Sequence, residues 1–300
     1  MASSVYIIAD IEGSTGCLCA QDARLLNDGW VRACVELSRD VDLIARRLLD
    51  NGVERVRVKD FHRTGYNIFR KFVDSRVEID QGYRAGPIPG IGKADGFDCL
   101  MMVGMHAASG TNGFIPHTLT SKFASVEVNG CLITEAELFA SSVAEAGLVP
   151  LFFSGCPVAC AQAAAAIPNL HTFALEKPLV SSPQTLREAM AESASMAMRN
   201  VAGNVYRPAG PFSTIVRMRD GNAAALKMRK RWKLDGDGDT VYFKTADIRQ
   251  LYCQLIRLAY LNPVSESFLD LSLKTANLAG LLLQAWARYR ARSACLIQDS

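Results

Sequence analysis

Acidic and histidine side chains follow apolar stretches at three places in the first half of the chain. Asp10 and Glu12 come directly after VYIIA, His62 follows RVRVKDF, and His106 follows CLMMVGM. Carboxylate and imidazole groups are the ligands that zinc and similar divalent ions bind in proteins. Two acids that are two residues apart on an extended chain point to the same side, so they can share one ion, or one of them can bridge two. The spacing predicts a metal site, and Gly13 would allow a tight turn just beyond the acids.

Two further side chains with the same chemistry follow the third apolar stretch. His117 lies shortly beyond it, and Glu135 begins a predicted helix. The fourth histidine, His171, lies in a loop-like stretch and is interpreted as a surface residue. A lone acid after a strand is as readily a turn or cap residue, and a lone histidine is more often structural. The prediction of a metal site therefore depends on the joint pattern.

The predicted secondary structure explains how these side chains meet. The chain opens with a strand over 5–10, a helix from Asn27 or Asp28 to about Leu49, and a second strand that contains His62. A third strand is predicted over 97–107 and another over 148–155, and Asn129-Gly130 is typical of the turn of a hairpin. In open α/β sheets the carboxyl ends of parallel strands line the functional crevice, so the predicted ligands would share one edge.

The sequence pattern predicts further helices and two more strands in the remainder of the chain. The segment 74–97 is rich in Gly, Pro and charge and is predicted to be a long loop. Helices are predicted over 135–146, 157–167, 183–202, 247–261 and in the tail 264–300, and strands over 213–219 and 240–246. The predicted fold is α/β, with a mainly parallel sheet and flanking helices, plus a smaller α+β C-terminal portion. We divide the chain into a catalytic domain over 1–180 and a smaller portion over 181–300. The apolar tail needs a partner, which is either its own domain or a neighbouring subunit.

Composition limits the classes of function. A formal net charge of +3 does not indicate a nucleic-acid partner, and no apolar run reaches the roughly 20 residues that span a bilayer. The basic run KMRKRWK over 227–233 is interpreted as a solvated helix face rather than a nucleic-acid patch. The chain has nine cysteines, an odd number that favours free thiols in a reducing compartment, and no secretion signal is apparent. We therefore expect a cytoplasmic protein with neither a nucleic-acid nor a membrane partner.

Five short motifs resemble one known family. IADIEGSTG, VKDFH, VGMHA, IPHT and ITEAEL, in this order over about residues 5–261, resemble the D-aminopeptidase (DppA-type) family of metallopeptidases. The resemblance implies two zinc ions per chain and His117 as a catalytic residue that is not a metal ligand. The metal ligands that the resemblance implies are Asp10 as the bridge, Glu12 and His62 at one ion, and His106 and Glu135 at the other.

The resemblance also implies the reaction and the assembly. Members of the family cleave small peptides from the N-terminal side and tend to form ring-shaped homo-oligomers. Relatives often have Gly-Asp-Asp where this chain has Gly155-Cys156-Pro157, which predicts a different substrate preference. Two other functions stay open: a non-catalytic, metal-stabilised scaffold, and a metal-dependent phosphoesterase. A glycine-rich phosphate loop that ends in Lys and Ser or Thr, which would favour the latter, is missing from the sequence.

Overall fold

The computed structural model describes residues 3–199 and 203–294. A six-stranded sheet forms its centre, with the strand order β3-β2-β1-β4-β7-β8. Every neighbouring pair in this sheet is parallel. The six strands are β1 (Ser4–Ala9), β2 (Arg55–Asp60), β3 (Glu78–Asp80), β4 (Cys99–Met105), β7 (Val149–Gly155) and β8 (His171–Ala174).

A smaller antiparallel sheet lies beside the first, with the order β10-β9-β5-β6. Its strands are β5 (Phe123–Val128), β6 (Cys131–Leu132), β9 (Phe212–Met218) and β10 (Thr240–Thr245). The first two of these form the predicted hairpin around Asn129-Gly130. This sheet combines strands from both sides of residue 180, and the division of the chain there stays a prediction.

Eight α-helices of the described residues cover the two sheets. They are α1 (Asp28–Asp50), α2 (Glu135–Ser142), α3 (Pro157–Ala166), α4 (Pro183–Arg199), α5 (Gly221–Trp232), α6 (Ile248–Tyr260), α7 (Pro263–Ser267) and α8 (Leu269–Ser293). The side chain of Asn27 caps α1 by accepting from Trp30 N. The predicted positions 200–202 and 295–300 lie outside the described residues.

The central sheet is buried on both faces, which explains why its strands are continuously apolar. Along β1, Tyr6 and Ile8 pack into one hydrophobic core, and Val5 and Ile7 pack into the other. This architecture confirms the predicted fold class, a parallel sheet with flanking helices and a smaller α+β part.

Two short edge strands were not expected from the sequence. β3 lies inside the segment 74–97, which is not one continuous loop, and β8 contains His171, which is therefore not in a loop. Each has only three or four residues, and polar residues make up most of β3, so neither shows the apolar run of a buried strand. His171 is nevertheless exposed, as predicted, and bonds Ser193 Oγ at 2.9 Å.

The tail packs its inner face on its own chain. Trp286 of α8 stacks on Trp30 of α1 with ring centroids 6.2 Å apart, and Gln284 donates to Ile68 O at 3.0 Å. The outer face of α8 carries exposed apolar side chains, among them Leu278 and Leu282. The described part of the chain contains no helix that is long and apolar enough to cross a membrane.

Candidate metal centre

Three neighbouring strands deliver the predicted ligands to one edge of the central sheet. β2, β1 and β4 are adjacent, and Asp10, His62 and His106 each lie one or two residues beyond a carboxyl end. Glu12 follows in the bend after β1, and Glu135 is the first residue of α2. All five side chains are buried, each with 3–4% of its surface exposed. The structure therefore brings the five predicted ligands together.

The first half of the cluster is built around His62. Its Nδ1 lies 3.0 Å from Asp10 Oδ1 and 3.0 Å from Glu12 Oε2. Its other nitrogen, Nε2, faces the carbonyl oxygen of Ala23 at 3.0 Å. A ring that donates from Nε2 to this carbonyl presents an unprotonated Nδ1 to the acids, which is the orientation that a metal ligand needs.

The second half is built around His106. Its Nε2 lies 3.3 Å from Asp10 Oδ2 and 3.4 Å from Glu135 Oε1. Its Nδ1 faces the carbonyl oxygen of Ala107 at 3.1 Å, so here too a backbone carbonyl selects the tautomer. The two oxygens of Asp10 thus face two different histidines, one on each side.

His117 lies against the second half without entering it. Its ring stacks on that of His106 with centroids 3.6 Å apart and an angle of 12° between the planes. Its Nδ1 bonds to Ile115 O at 2.9 Å, which directs Nε2 towards Glu12 Oε1, 3.9 Å away. Burial and the neighbouring His106 lower the pKa of His117. The ring is therefore neutral around pH 7, with its unprotonated Nε2 facing the cluster.

Two glycines allow the strand ends to approach each other. Gly13 N donates to Gly104 O at 2.7 Å, and a Cβ on Gly13 would lie 2.1 Å from Met105 O. A Cβ on Gly104, which has a φ of 76°, would lie 2.1 Å from Asp10 O. Gly13 was expected to allow a tight turn, but its φ is not positive. The reason for glycine at this position is the close approach of β4.

Three residues without this freedom adopt a left-handed backbone around the cluster. Arg63 has a φ of 45°, Ile115 of 47° and Leu119 of 61°. Each acts on a site residue: Arg63 follows His62, Ile115 O holds His117, and Leu119 N donates to Glu135 Oε1 at 2.6 Å. Such conformations cost about 1–3 kcal/mol and are maintained only by the surrounding structure. They indicate that the site geometry is imposed by the fold.

The electrostatics of the cluster favour positive charge at both imidazole positions. Burial alone would raise the pKa of Asp10, but hydrogen bonds with His106 and His62 outweigh it and hold this pKa well below its usual value. Burial would lower the pKa of His62, but Glu12 and Asp10 raise it to about 10. The pKa of His106 is raised by Glu135 and Asp10 in the same way. Either protons or divalent ions can supply this positive charge.

The donor set fits divalent ions. The groups Asp10–Glu12–His106 and His106–His117–Glu135 each place one ligand atom per residue within 4.8 Å of one another. Two buried atoms of the cluster, Glu12 Oε2 and His106 Nε2, face other side chains of the cluster at 3.0–3.4 Å and have no hydrogen-bond partner outside it among the described residues. Buried polar atoms are normally satisfied, so a buried set of carboxylate and imidazole atoms that face one another fits the ligands of an ion.

A cavity of about 260 Å³ opens onto the cluster. Besides the predicted residues it is lined by Arg24, Arg63 and Tyr260, which the sequence analysis did not identify. Arg63 directly follows the predicted ligand His62, and this position in the sequence could have identified Arg63 as a residue near the site. Tyr260 is the last residue of α6 and reaches the site only through the tertiary fold, so the sequence contained no sign of it.

Comparison with known proteins identifies the family of the chain. The family model described as D-aminopeptidase matches residues 4–256. The chain belongs to the D-aminopeptidase family. The resemblance of the five motifs to these metallopeptidases is thereby confirmed, and with it the hydrolysis of peptide bonds as the class of reaction.

A solved structure shows the same fold. The chain is similar to the "Zn-dependent D-aminopeptidase DppA from Bacillus subtilis, a self-compartmentalizing protease", with a TM-score of 0.78 and 18% sequence identity. The similarity covers 86% of this chain and 97% of that one. No curated protein matches the chain. The family match ends before α7 and α8, so these C-terminal helices lie outside it.

Proposed function

We propose that this member of the D-aminopeptidase family is a metal-dependent aminopeptidase with a dinuclear centre. The observation that carries the proposal is the position of Asp10, whose Oδ1 faces His62 at 3.0 Å and whose Oδ2 faces His106 at 3.3 Å. Asp10 would bridge two ions. Glu12 and His62 would complete one site, and His106 and Glu135 the other.

Zinc is the metal that we propose. Two histidines among three carboxylates suit zinc, and the similar protein from Bacillus subtilis is Zn-dependent. When bound, a pair of divalent ions supplies Lewis-acid chemistry: it polarises a carbonyl and makes water a better nucleophile.

We propose that His117 carries a proton during the reaction. Its Nδ1–H is held by Ile115 O, so the neutral ring has a free lone pair on Nε2. This nitrogen lines the cavity and can accept a proton from the attacking water, then donate it to the amine that leaves.

We propose that the substrate is a small peptide or amide, which the size of the cavity over the site favours. The volume of this cavity is about 260 Å³, and Arg24 and Arg63 line part of it. These two guanidinium groups can bind the carboxylate of a dipeptide. By analogy with the self-compartmentalizing neighbour, we further propose a homo-oligomer. The predicted ring shape and cytoplasmic location remain predictions.

Elemental analysis of the purified protein tests the centre. We expect about two zinc or other divalent ions per wild-type chain and their loss from the double variant Asp10→Ala, His106→Ala. His171→Ala is the matched control, since this exposed histidine of β8 should retain both ions and full hydrolysis of dipeptides.

Each alternative predicts another result. One ion per chain would contradict the dinuclear centre, even if dipeptides are cleaved. No ion after incubation with zinc or manganese, together with no hydrolysis, would favour the non-catalytic scaffold.

A further inference from the structure

A second, larger cavity lies beside the metal centre. Its volume is about 840 Å³. It shares three lining residues with the cavity over the metal ligands: Phe61, Arg63 and Tyr260. The two spaces are therefore neighbours that share these three side chains.

The lining of the larger cavity is mainly apolar. Its apolar side chains come from the segment before β10, from β10, from α6 and from α8: Leu234, Phe243, Ile256, Leu261, Leu269 and Leu273. Ligand pockets in proteins have volumes of about 300–1,000 Å³ and are mostly apolar. This cavity has the size and the chemistry of a binding site for an apolar group.

Tyr260 connects the cavity to the metal ligands. Its hydroxyl donates to Leu119 O, and Leu119 N donates to Glu135 Oε1. Although the hydroxyl is held, 55% of the surface of Tyr260 is exposed. A partly exposed aromatic ring that lines both cavities offers a contact surface for an apolar substrate group.

One wall of the cavity lies outside the part of the chain that the family model matches. Leu269, Ser272, Leu273 and Ala276 line the cavity from one face of α8, at the spacing of successive helical turns. The family match ends at residue 256. The shape of this wall is therefore a property of this chain that membership of the family does not specify.

We propose that the larger cavity is a specificity pocket for a large apolar side chain on the leaving-group side of a dipeptide, an inference that rests on the proposed peptidase function. The small N-terminal residue of the dipeptide would lie at the metal centre, and the carboxylate of its second residue would lie near the exposed Arg63. The side chain of this second residue would enter the larger cavity. A 150 Å³ apolar cavity is enough for a benzene ring, so about 840 Å³ accommodates a Phe or Trp side chain.

Dipeptides with a constant first residue test this specificity. The stereoisomers of Ala-Ala are assayed first, to find which configuration the zinc-loaded protein cleaves. Ala-Gly, Ala-Leu, Ala-Phe and Ala-Trp of that configuration are then compared. We expect kcat/KM for Ala-Phe to exceed that for Ala-Gly by at least about tenfold, because burial of a large apolar side chain in the cavity is favourable. Equal values across the series would overturn the proposal.

Variants of α8 locate the effect in the cavity. Ala276→Trp should fill the space and reduce the Ala-Phe to Ala-Gly ratio at least about fivefold. Ala279→Trp is the control, since Ala279 is exposed on the same helix and does not line the cavity. Ser272→Phe repeats the test from another turn of α8 if Ala276→Trp fails to fold. A ratio that responds equally to Ala276→Trp and Ala279→Trp would contradict the pocket.

A binding measurement separates this inference from the proposed function. The uncharged fluorescent probe N-phenyl-1-naphthylamine should bind wild-type protein and Ala279→Trp saturably, and Ala276→Trp at least about tenfold more weakly. If no dipeptide is cleaved but the probe behaves in this way, the proposed function fails and the apolar site stands. If the assembled wild-type protein does not bind the probe, the cavity is filled by a neighbouring copy, and the specificity pocket is wrong.

Discussion

The carboxylate of Asp10 illustrates how a single side chain can organise a buried, charged site. It is 4% exposed, and each of its oxygens faces a different imidazole. An isolated buried carboxylate would be expensive, so its burial requires positive charge nearby. Two histidines from two other strands provide that charge when protonated, and bound cations provide it when the histidines are neutral.

The replacement His117→Ala distinguishes a catalytic residue from a metal ligand. We expect the variant to retain the metal content of the wild type, because the other four proposed ligands already surround Asp10. We expect kcat for a dipeptide to fall by about 10²–10⁴-fold, the usual contribution of a general acid or base. Metal analysis and steady-state kinetics on the same preparation measure both quantities.

Loss of one ion from His117→Ala would contradict this role. The geometry makes the test necessary, since the ligand atoms of His117, His106 and Glu135 lie within 4.8 Å of one another. His171→Ala serves again as the control for the loss of an imidazole away from the site.

At the level of single residues, the sequence predicted the cluster because its members are chemically rare. Three of the four histidines follow buried strands, and their type and position were visible in the chain. The contributions of Tyr260 and Ile115 were not predictable in this way. Tyr260 lies at the end of a helix that is distant in sequence. Ile115 acts through its backbone carbonyl, and its φ is 47°.

At the level of elements, strand β2 carries an unusual residue shortly before His62, a proposed metal ligand. Lys59 is fully buried, and its ammonium group donates to Gly82 O and lies 3.8 Å from Asp80 Oδ2. Burial lowers the pKa of Lys59 to about 8, against the partial compensation of Asp80 and Asp60. The folded protein therefore disfavours the protonated form, relative to the unfolded chain.

Comparison with the variant Lys59→Met should reveal the cost of burying the protonated Lys59 as a pH-dependent difference in the free energy of unfolding. Between pH 8 and 10.5 the unfolded chain keeps a proton that the folded chain releases, so wild-type stability gains from Lys59 as pH rises through this window. Relative to Lys59→Met, the free energy of unfolding of the wild type should increase by about 2–3 kcal/mol across this range. Urea unfolding at several pH values measures the difference. A constant difference across this window would show that Lys59 keeps an ordinary pKa.

The elements that the sequence did not predict are those with the weakest physical signal. The long buried strands β1 and β4 are continuous apolar runs and were identified within two residues of their ends. The edge strands β3 and β8 are paired on one side only and have no apolar run. Their positions depend on the neighbouring strand rather than on their own residues.

At the level of the whole molecule, helix α8 contacts both the loop that follows His62 and the segment that follows β3. Asn277 accepts from Tyr83 N at 2.8 Å and donates to Tyr83 O at 3.0 Å. Further along the helix, Gln284 donates to Ile68 O at 3.0 Å. The segment after about residue 262 had no counterpart in the motif resemblance, yet it both supports this loop and forms a wall of the larger cavity.

The contact between Gly280 and Tyr66 tests this coupling. A Cβ on Gly280 would lie 2.4 Å from Tyr66 Cδ2 and 3.2 Å from Thr64 O, so Gly280→Val forces α8 away from the loop. We expect the free energy of unfolding to fall by about 1–3 kcal/mol, the usual cost of overpacking, even though glycine is the weaker helix former. Ala279→Val, one position away on the exposed side, should lower it by no more than about 0.7 kcal/mol, the cost of valine relative to alanine in a helix.

The same pair of variants reports on the metal centre. Thr64 and Tyr66 lie in the loop just beyond His62, so displacement of this loop should also move His62, a proposed ligand. We therefore expect Gly280→Val to bind zinc more weakly than Ala279→Val in a chelator competition. Weaker folding with unchanged zinc affinity would show that α8 stabilises the molecule without positioning His62. Unchanged stability would contradict the packing of α8 on the loop altogether.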